Sequence, residues 1–346
     1  MPKRFYYSAD ASLTYLEGKT VTVIGYGGQG RAFATNLRDS GVAVRVGNID
    51  DAYRHRAIAE GQCVSDIGNA VRAGDIVILL IPDEAHKVVF EKEIATNIRP
   101  GSTLIVAHGH SLVQGEVTPL SGVDLAMLAP RMYGDPIRKY FLEGKGAPAY
   151  IDIVADVTGV ALHRVLAIAE AVGFTRAGVM TLDYRQETVL DLFQEQFIAP
   201  ALVDLIETGY RVLVEHGLDP YAALLEVYGS GEIGRMILDG ADIGLDEVIR
   251  LQGSPTCQIG YHFYRDRLLP PVVADRAREV LRSLENGEFA SRLKVEAQAD
   301  YPLLKTARAA SATRDMTATH LGVRAALHFP AEGGDDLYAQ KAGVSS

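Results

Sequence analysis

The hydrophobic pattern changes once along the chain. Between residue 20 and about residue 180, short apolar runs alternate with helix-like segments; the runs are TVTVIG, VAVRVGN, DIVILLIP, STLIVAHG, DLAMLAP and PAYIDIV. Near-continuous apolar runs of this length are typical of parallel strands that are buried on both faces. The first half is therefore predicted to be an open, mostly parallel α/β sheet.

After about Asp183 the strand pattern disappears and long helical patterns follow, the first from Tyr184 to Gly217. Pro200 should interrupt and kink this helix, because proline removes an amide donor and crowds the preceding turn. We divide the chain into an α/β domain (1–182), an all-α domain (183–328) and a flexible tail (329–346). The tail is predicted because its sequence lacks periodicity.

A glycine pattern follows the first strand. Gly25, Gly27 and Gly30 match G-x-G-x-x-G between a strand and a helix, with acids about 20 residues further on, which is the context of a Rossmann dinucleotide site. Such a turn brings the backbone close to a pyrophosphate at the helix N-terminus. The predicted cofactor-binding residues here are Gly25, Tyr26, Gly27, Gln29 and Gly30.

Acidic and basic residues both follow the second strand, in VGNIDDAYRHR. Asp50 and Asp51 would accept hydrogen bonds from ribose hydroxyls and repel a 2′-phosphate, which favours NADH. Arg54 and Arg56 could instead grip that phosphate. NADH is the preferred cofactor in this interpretation, and NADPH remains the alternative.

Carboxylates dominate the chemistry of the helical half. In QETVLDLFQEQ, Glu187, Asp191 and Glu195 are spaced four apart and would share one face of a helix. They are either a solvated acidic face or ligands of a hard divalent cation such as Mg²⁺. Glu226 and Glu232 lie six residues apart, on different faces of a regular helix unless the intervening GSG distorts it.

Two histidines, His108 and His110, follow an apolar strand in VAHGH. Ligands of open α/β sheets bind at the carboxyl edge of the strands, so these histidines are candidates for a site, with ordinary loop histidines as the alternative. The remaining histidines are scattered and predict no metal site of the Cys/His type.

Composition and charge limit the expected partners and the expected cellular location of the protein. The net charge of −10 has no compensating basic block, so nucleic acid and anionic membranes are not expected partners. The segment MPKRFYYSAD has no apolar core of a signal peptide, no uncharged run approaches a membrane span, and there are only two cysteines. We expect a cytoplasmic protein.

In combination, these motifs resemble the ketol-acid reductoisomerase family in its short form. The matching landmarks are VIGYGGQGRAFATNLRDSG, LLIPDEAHKVVFEKEIATNIRPG, VAHGH, TRAGV, DLFQEQ, GSPTCQIG and LENGEFASRLKVEAQADYP. They run in order over nearly the whole chain. The resemblance implies a Rossmann domain, a helical domain that intertwines with that of a partner subunit in a homodimer, NAD(P)H, and one or two Mg²⁺ ions.

The implied reaction converts 2-acetolactate-type acids to 2,3-dihydroxy acids by an alkyl shift and a hydride transfer. By resemblance, Asp191 and Glu195 are metal ligands, and Glu226 is a ligand contributed by the partner subunit. Ser254 falls on the serine that holds the substrate carboxylate. His108 falls on the active-site histidine, which handles protons or organises water near the metals.

The sequence departs from the family pattern beside the expected site. The family's APK reads APR, so Arg131 replaces a lysine; arginine keeps the charge but practically never releases a proton. Asp135 lies in MYGD, where the family has GPGH. The second partner-subunit glutamate falls on Ser230 without a gap, or on Glu232 with a two-residue insertion.

These departures leave three functional hypotheses. The first is the full isomeroreduction, with His108, Arg131, Asp191 and Glu195 as catalytic residues. The second is a divergent reductase of another 2-oxo acid or an imine that has lost the alkyl shift. The third is a non-catalytic NADH-binding protein, which would not need a metal-and-carboxylate site.

Overall fold

The first half of the chain forms one nine-stranded sheet. The structure is a computed structural model and describes residues 4–327. The strands are β1 (Phe5–Tyr6), β2 (Thr20–Ile24), β3 (Ala43–Gly47), β4 (Val64–Ser65), β5 (Ile76–Leu79), β6 (Thr103–Val106), β7 (Asp124–Pro130), β8 (Ala149–Ala155) and β9 (Val179–Thr181).

The order of strands across the sheet is β1-β9-β8-β7-β6-β5-β2-β3-β4. The run from β7 to β4 is parallel throughout. The chain leaves β2 toward β3 on one side and later returns to β5 on the other. This reversal opens a crevice beyond the carboxyl ends of β2 and β5, where dinucleotides bind in folds of this type.

Helices cover both faces of this sheet. Along β5, Ile76 and Ile78 pack into one apolar core and Val77 and Leu79 into the other, because successive side chains of a strand point to opposite faces. The helices of this part are α1 (Gly28–Asp39), α2 (Ala52–Ala59), α3 (Ile67–Ala73), α4 (Asp83–Val89), α5 (His110–Val113), α6 (Gly134–Leu142) and α7 (Ala161–Val172).

The predicted strands are present, and the mostly parallel α/β fold is confirmed. The run PAYIDIV differs in one respect: β8 pairs antiparallel with β7 and is not fully buried. Its sequence AYIDIVA contains Asp152, and one water-facing side is typical of an antiparallel strand. The sequence did not predict β1, β4 and β9, which have only two or three residues each.

The chain divides into two compact units, the first ending at Leu190 and the second beginning at Asp191. Helix α8 (Tyr184–Phe193) runs through this point. The helices that follow are α9 (Ala199–Glu215), α10 (Pro220–Leu224), α11 (Glu232–Ile243), α12 (Leu245–Gln252), α13 (Pro255–Leu268), α14 (Val272–Glu285), α15 (Glu288–Gln298), α16 (Pro302–Ala312) and α17 (Asp315–Ala326). Between α8 and residue 327 the structure contains no strand, as predicted.

The interruption expected at Pro200 takes the form of a π turn. Residues Gln194–Ile198 form this turn, in which the amide of Ala199 bonds the carbonyl of Gln194, and α9 begins directly after it. Pro200 then occupies the first turn of α9, where its missing amide is tolerated.

The second unit has a small core of its own. Tyr210, Ala223, Leu224 and Val323 are buried together from α9, α10 and α17. Many larger apolar side chains of this unit are exposed, including Ile259 at 70%. No helix within residues 4–327 combines the length and apolar composition needed to cross a membrane. The predicted tail, 329–346, lies outside the described residues.

Candidate active site

The glycine turn stands at the carboxyl end of β2, where its geometry requires glycine. Gly25 has a φ of +95°, and a Cβ there would lie 2.4 Å from the carbonyl oxygen of Leu80. A Cβ on Gly30 would lie 2.1 Å from the carbonyl oxygen of Gly25. Gly27, in contrast, faces open space and precedes α1 without a side-chain cap. The turn therefore presents backbone amides at a helix N-terminus, which fits the pyrophosphate of a dinucleotide.

Tyr26 supports this turn from inside the protein. Its side chain is 1% exposed, and its hydroxyl donates to Glu60 Oε2 at 2.8 Å. Burial and the neighbouring Glu60 raise the pKa of the Tyr26 phenol, so it stays protonated. Arg31 also bonds Glu60, at 3.0 Å. Because the side chain of Tyr26 is buried, only its backbone could contact a cofactor. Gln29, in the first turn of α1, is partly exposed.

The acids after β3 have different environments. Asp51 caps α2: its Oδ1 accepts from the Arg54 amide at 2.9 Å and from Asn48 Nδ2 at 2.8 Å. Asp50 is exposed and lies 3.4 Å from His55. The guanidinium of Arg54 donates to the backbone carbonyl of Asn48 at 3.0 Å. Arg54, on α2, is thus bonded back to the loop that carries Asp50 and Asp51.

His108, the sequence-predicted histidine, lies just beyond β6 and is partly buried. Its Nδ1 is 2.9 Å from Asp83 Oδ2, at the start of α4. Its Nε2 lies 4.0 Å from Glu187 Oε2, and its ring stacks on His110 with centroids 5.9 Å apart. Because β5 and β6 are adjacent and parallel, the residues that follow them meet at one edge of the sheet.

The electrostatics favour a negative charge on Asp83. Burial acts to raise the pKa of this carboxyl, but the hydrogen bond to His108 and the nearby histidines outweigh it, and the net shift is downward. His86, one turn further along α4, is buried, and burial lowers the pKa of its imidazole. The net shift therefore favours the ionised form of Asp83, while burial disfavours a charged His86.

Glu187 is completely buried on α8. Its Oε1 accepts from Arg131 Nη2 at 2.9 Å and its Oε2 from the amide of Gly109 at 2.8 Å. Arg131 follows β7 directly and lies over the ring of Tyr150, 4.9 Å from its centroid. A buried carboxylate needs such partners, since an uncompensated buried charge costs about 3–5 kcal/mol.

Asp191 lies one turn beyond Glu187 on α8, as the spacing predicts. His108, Glu187 and Asp191 each offer an atom that lies within 4.8 Å of the others. Carboxylate oxygens are the ligands that a hard cation prefers, and Glu187 and Asp191 both contribute them here. The donors present fit such an ion.

The remaining predicted residues are exposed in this chain. Glu195 lies in the π turn after α8, and Glu226 lies in a second π turn, Leu225–Gly229. Glu232 begins α11, after Gly231 with its φ of +82°, so the GSG segment does break the helix between the two glutamates. Ser254 caps α13 by accepting from the amide of Cys257 at 3.3 Å.

Sequence reasoning missed two features of the site. Asp83 was not singled out, although it follows β5 at the same edge as His108, and the end of a parallel strand was the available signal. Glu187 was treated only as one of three helical acids. Its pairing with Arg131, 56 residues away, had no local signal.

A glycine turn at the reversal of a parallel sheet, with ionisable groups gathered beyond the neighbouring strands, defines a dinucleotide-dependent enzyme. Two family profiles match the chain: "Acetohydroxy acid isomeroreductase, NADPH-binding domain" over residues 15–178 and "Ketol-acid reductoisomerase, C-terminal domain" over residues 184–329. The chain belongs to the ketol-acid reductoisomerase family. It is an NAD(P)H-dependent oxidoreductase.

Solved structures agree with this assignment. An NADH-preferring ketol-acid reductoisomerase from an uncultured archean is 30% identical, with a TM-score of 0.90 over 94% of this chain and 100% of that one. A semialdehyde dehydrogenase NAD-binding protein from Cupriavidus necator is 20% identical, with a TM-score of 0.58 over 78% of this chain and 99% of that one. A 1-pyrroline-5-carboxylate reductase from Streptococcus pyogenes is 17% identical, with a TM-score of 0.51 over 78% of this chain and 98% of that one. The last two show a shared fold only.

Proposed function

We propose that this chain is a Mg²⁺-dependent, NADH-preferring ketol-acid reductoisomerase that converts 2-acetolactate-type acids to 2,3-dihydroxy acids. The observation that carries the proposal is the gathering of His108, Glu187 and Asp191 at the sheet edge that also bears the glycine turn. A binding protein without catalysis would have no need for these groups.

The chain's own residues can perform the proton steps of this reaction. Alkyl migration from C2 to C3 requires the C2 hydroxyl to lose a proton and the C3 oxygen to gain one. His108 presents an imidazole within 4.0 Å of a buried carboxylate, where such a proton can be held. Hydride transfer to the new C2 carbonyl, with a proton taken up by the resulting C2 oxygen, then completes the reaction, and the glycine turn would hold the cofactor that supplies the hydride.

Asp191 and Glu195 would hold Mg²⁺ from this chain, and Glu226, with Glu232, from a partner subunit. When bound, the ion supplies Lewis-acid polarisation of the substrate oxygens. Ser254 would hold the substrate carboxylate. His108 is not assigned as a ligand, because Mg²⁺ prefers oxygen donors.

NADH preference is supported by the loop after β3. Asp50 and Asp51 follow β3, where an acid of a Rossmann domain would bond the ribose and repel a 2′-phosphate, and Arg54 is bonded back to Asn48. The archaeal relative described above is itself NADH-preferring.

A homodimer with intertwined helical domains is supported by the surface of the second unit. Phe263, Leu268 and Leu269 on and after α13 are 55–67% exposed, as are many apolar side chains of the neighbouring helices. Exposed apolar area of this extent is typical of protein–protein interfaces.

A second function, reduction without alkyl migration, is favoured by one observation. Arg131 stands where the family has a lysine and is fixed on Glu187 at 2.9 Å. A guanidinium practically never gives up a proton, so any proton relay through this position is lost.

Two substrates measured in parallel test both functions. With Mg²⁺ present, NADH oxidation is followed on 2-acetolactate, which must migrate first, and on 3-hydroxy-3-methyl-2-oxobutanoate, which needs reduction only. We expect comparable turnover of both. Turnover of the second alone would establish the reductase without migration. NADH binding without turnover of either would contradict both functions and support the non-catalytic NADH-binding protein.

A further inference from the structure

We propose that Asp83 is a positioning residue that holds a proton on Nδ1 of the His108 imidazole and so fixes the orientation of the ring, with Nε2 on the side of Glu187. This inference deepens the proposed function and concerns a residue that touches neither substrate nor cofactor in that proposal.

The fold brings the two side chains together. Asp83 begins α4 four residues after the end of β5, and His108 follows β6 by two residues. Leu79 and Val106, the last residues of these strands, are directly paired. The contact of 2.9 Å between Asp83 Oδ2 and His108 Nδ1 is therefore set by strand register rather than by a mobile loop.

The hydrogen-bonding chemistry fixes the position of the proton. An ionised carboxylate only accepts hydrogen bonds, so the His108 nitrogen facing Asp83 must carry the proton. In a neutral ring the other nitrogen then has a lone pair. That nitrogen, Nε2, lies 4.0 Å from Glu187 Oε2 and faces the carboxylates of α8.

A second histidine lies near the same carboxylate but does not compete for it. His86 Nε2 lies 3.7 Å from Asp83 Oδ1, beyond hydrogen-bond distance, and is 3.0 Å from the carbonyl of Ile81. Within the described residues its Nδ1 has no hydrogen-bond partner. His86 therefore carries its proton on Nε2 and donates it to Ile81. The strong hydrogen bond of Asp83 goes to His108.

The arrangement matches a general use of carboxylates beside histidine. In histidines that bind a metal through one ring nitrogen, a carboxylate on the other fixes the tautomer and orientation, and loss of this partner typically costs about 10–100-fold in activity or affinity. For this chain we expect the loss in kcat, because proton handling is affected. The dissociation constant for NADH should change by less than about twofold, since Asp83 binds His108 rather than the glycine turn.

The decisive experiment is NMR on the full-length protein with ¹⁵N-labelled histidine, and it needs no turnover. The signal of His108 is assigned with His108→Gln. The spectra are recorded at a pH at which the His108 ring is neutral; there we expect the Nδ1–H tautomer alone in the wild type and a substantial population of Nε2–H in Asp83→Ala. Asp83→Asn removes the charge with little change in size, so we expect a smaller shift in the same direction.

Glu84→Gln is the matched control. Glu84 is the next residue on α4, is exposed, and carries the same charge at the same helix end. This variant should keep the wild-type tautomer and kcat. A His108 tautomer that is unchanged in Asp83→Ala would overturn the inference. If that variant does not fold, an unchanged tautomer in Asp83→Leu, whose side chain offers no hydrogen-bond acceptor, would overturn it instead.

Measurement of kcat distinguishes failure of this inference about Asp83 from failure of the proposed function. We expect Asp83→Ala to lower kcat about 10–100-fold on 2-acetolactate. If the wild type turns over neither substrate, the proposed function fails, whereas the tautomer measurement still decides the role of Asp83. A tautomer shift with unchanged kcat in an active enzyme would overturn the positioning role.

Discussion

In the first unit both faces of the sheet are covered, whereas in the second unit many large apolar side chains are exposed. Ile76 to Leu79 of β5 are at most 1% exposed, but Ile259 and Leu268 of α13 are 70% and 67% exposed. Burial of one such side chain is worth about 1.5–3 kcal/mol. The first unit therefore completes its own core, whereas the exposed apolar side chains of the second unit are what the proposed homodimer would cover.

The ionisable groups differ in the same way. Asp83, His108 and Glu187 of the first unit are bonded to one another or to nearby groups, and Glu187 is fully buried. Glu226 and Glu232 of the second unit are exposed. We infer that one part of the site forms within a single chain and that the other part requires a second copy. The following predictions test this division.

The largest effect is expected for Asp191→Asn. If Asp191 holds Mg²⁺, loss of its charge should lower kcat by about 10³-fold or more, because a bound metal contributes several kcal/mol of charge stabilisation. The dissociation constant for NADH, measured by fluorescence titration, should stay near that of the wild type. Asp204→Asn, an exposed aspartate on α9, is the control and should remain active. A fully active Asp191→Asn would end the metal hypothesis.

Ile259→Asp tests whether the exposed surface of the second unit is an interface. A charge buried there without a partner should weaken association by about 3 kcal/mol, roughly 100-fold. Light scattering on a sizing column should then report the mass of one chain, 37.4 kDa, and turnover should fall with it. The control, Val157→Asp, changes an exposed valine of the first unit. A monomeric wild type with full activity would contradict the inference that part of the site requires a second copy of the chain.

Arg131→Lys asks whether the arginine limits alkyl migration. Lysine keeps the positive charge beside Glu187 but can take part in proton transfer. If arginine limits the migration, the ratio of kcat/KM for 2-acetolactate to that for 3-hydroxy-3-methyl-2-oxobutanoate should rise about tenfold in the variant, less than the roughly 10²–10⁴-fold contribution of a general acid–base group. Arg138→Lys, on α6, is the control and should leave this ratio unchanged. An unchanged ratio in Arg131→Lys would direct attention to Ser230 or the substrate pocket.

The first unit was more predictable from sequence than the second, for a physical reason. The run DIVILLIP has apolar residues at successive positions because β5 is buried on both sides. Glycine is required at positions 25 and 30 because a Cβ there would lie 2.4 and 2.1 Å from a backbone carbonyl oxygen. Such requirements restrict the residue types at particular positions, so they can be recognised in the sequence. For the π turn at Gln194–Ile198, the sequence predicted only an interruption of the helix at Pro200.

Contacts between distant residues were not predictable in this way. The pairing of Arg131 with Glu187 depends on where α8 lies against the end of β7, and the hydrogen bond between Asp83 and His108 depends on strand register. A spacing of four residues placed Glu187 and Asp191 on α8 but gave no reason to expect that the first would be buried. The roles of Glu195, Glu226, Glu232 and Ser254 remain predictions.

The smallest effect is expected for Asp50→Ser/Asp51→Ser, which tests how the first unit selects its cofactor. Serine can still cap α2 in place of Asp51, so the change removes charge while preserving the helix start. Loss of repulsion toward a 2′-phosphate should improve NADPH affinity about fivefold, since one exposed charge pair contributes about 1 kcal/mol. Asp219→Ser, the same change at the N-cap of α10, should leave the ratio of the NADPH and NADH dissociation constants unaltered. If the double variant keeps the wild-type ratio, the carboxylates after β3 do not set the preference, and Arg54 becomes the residue to vary next.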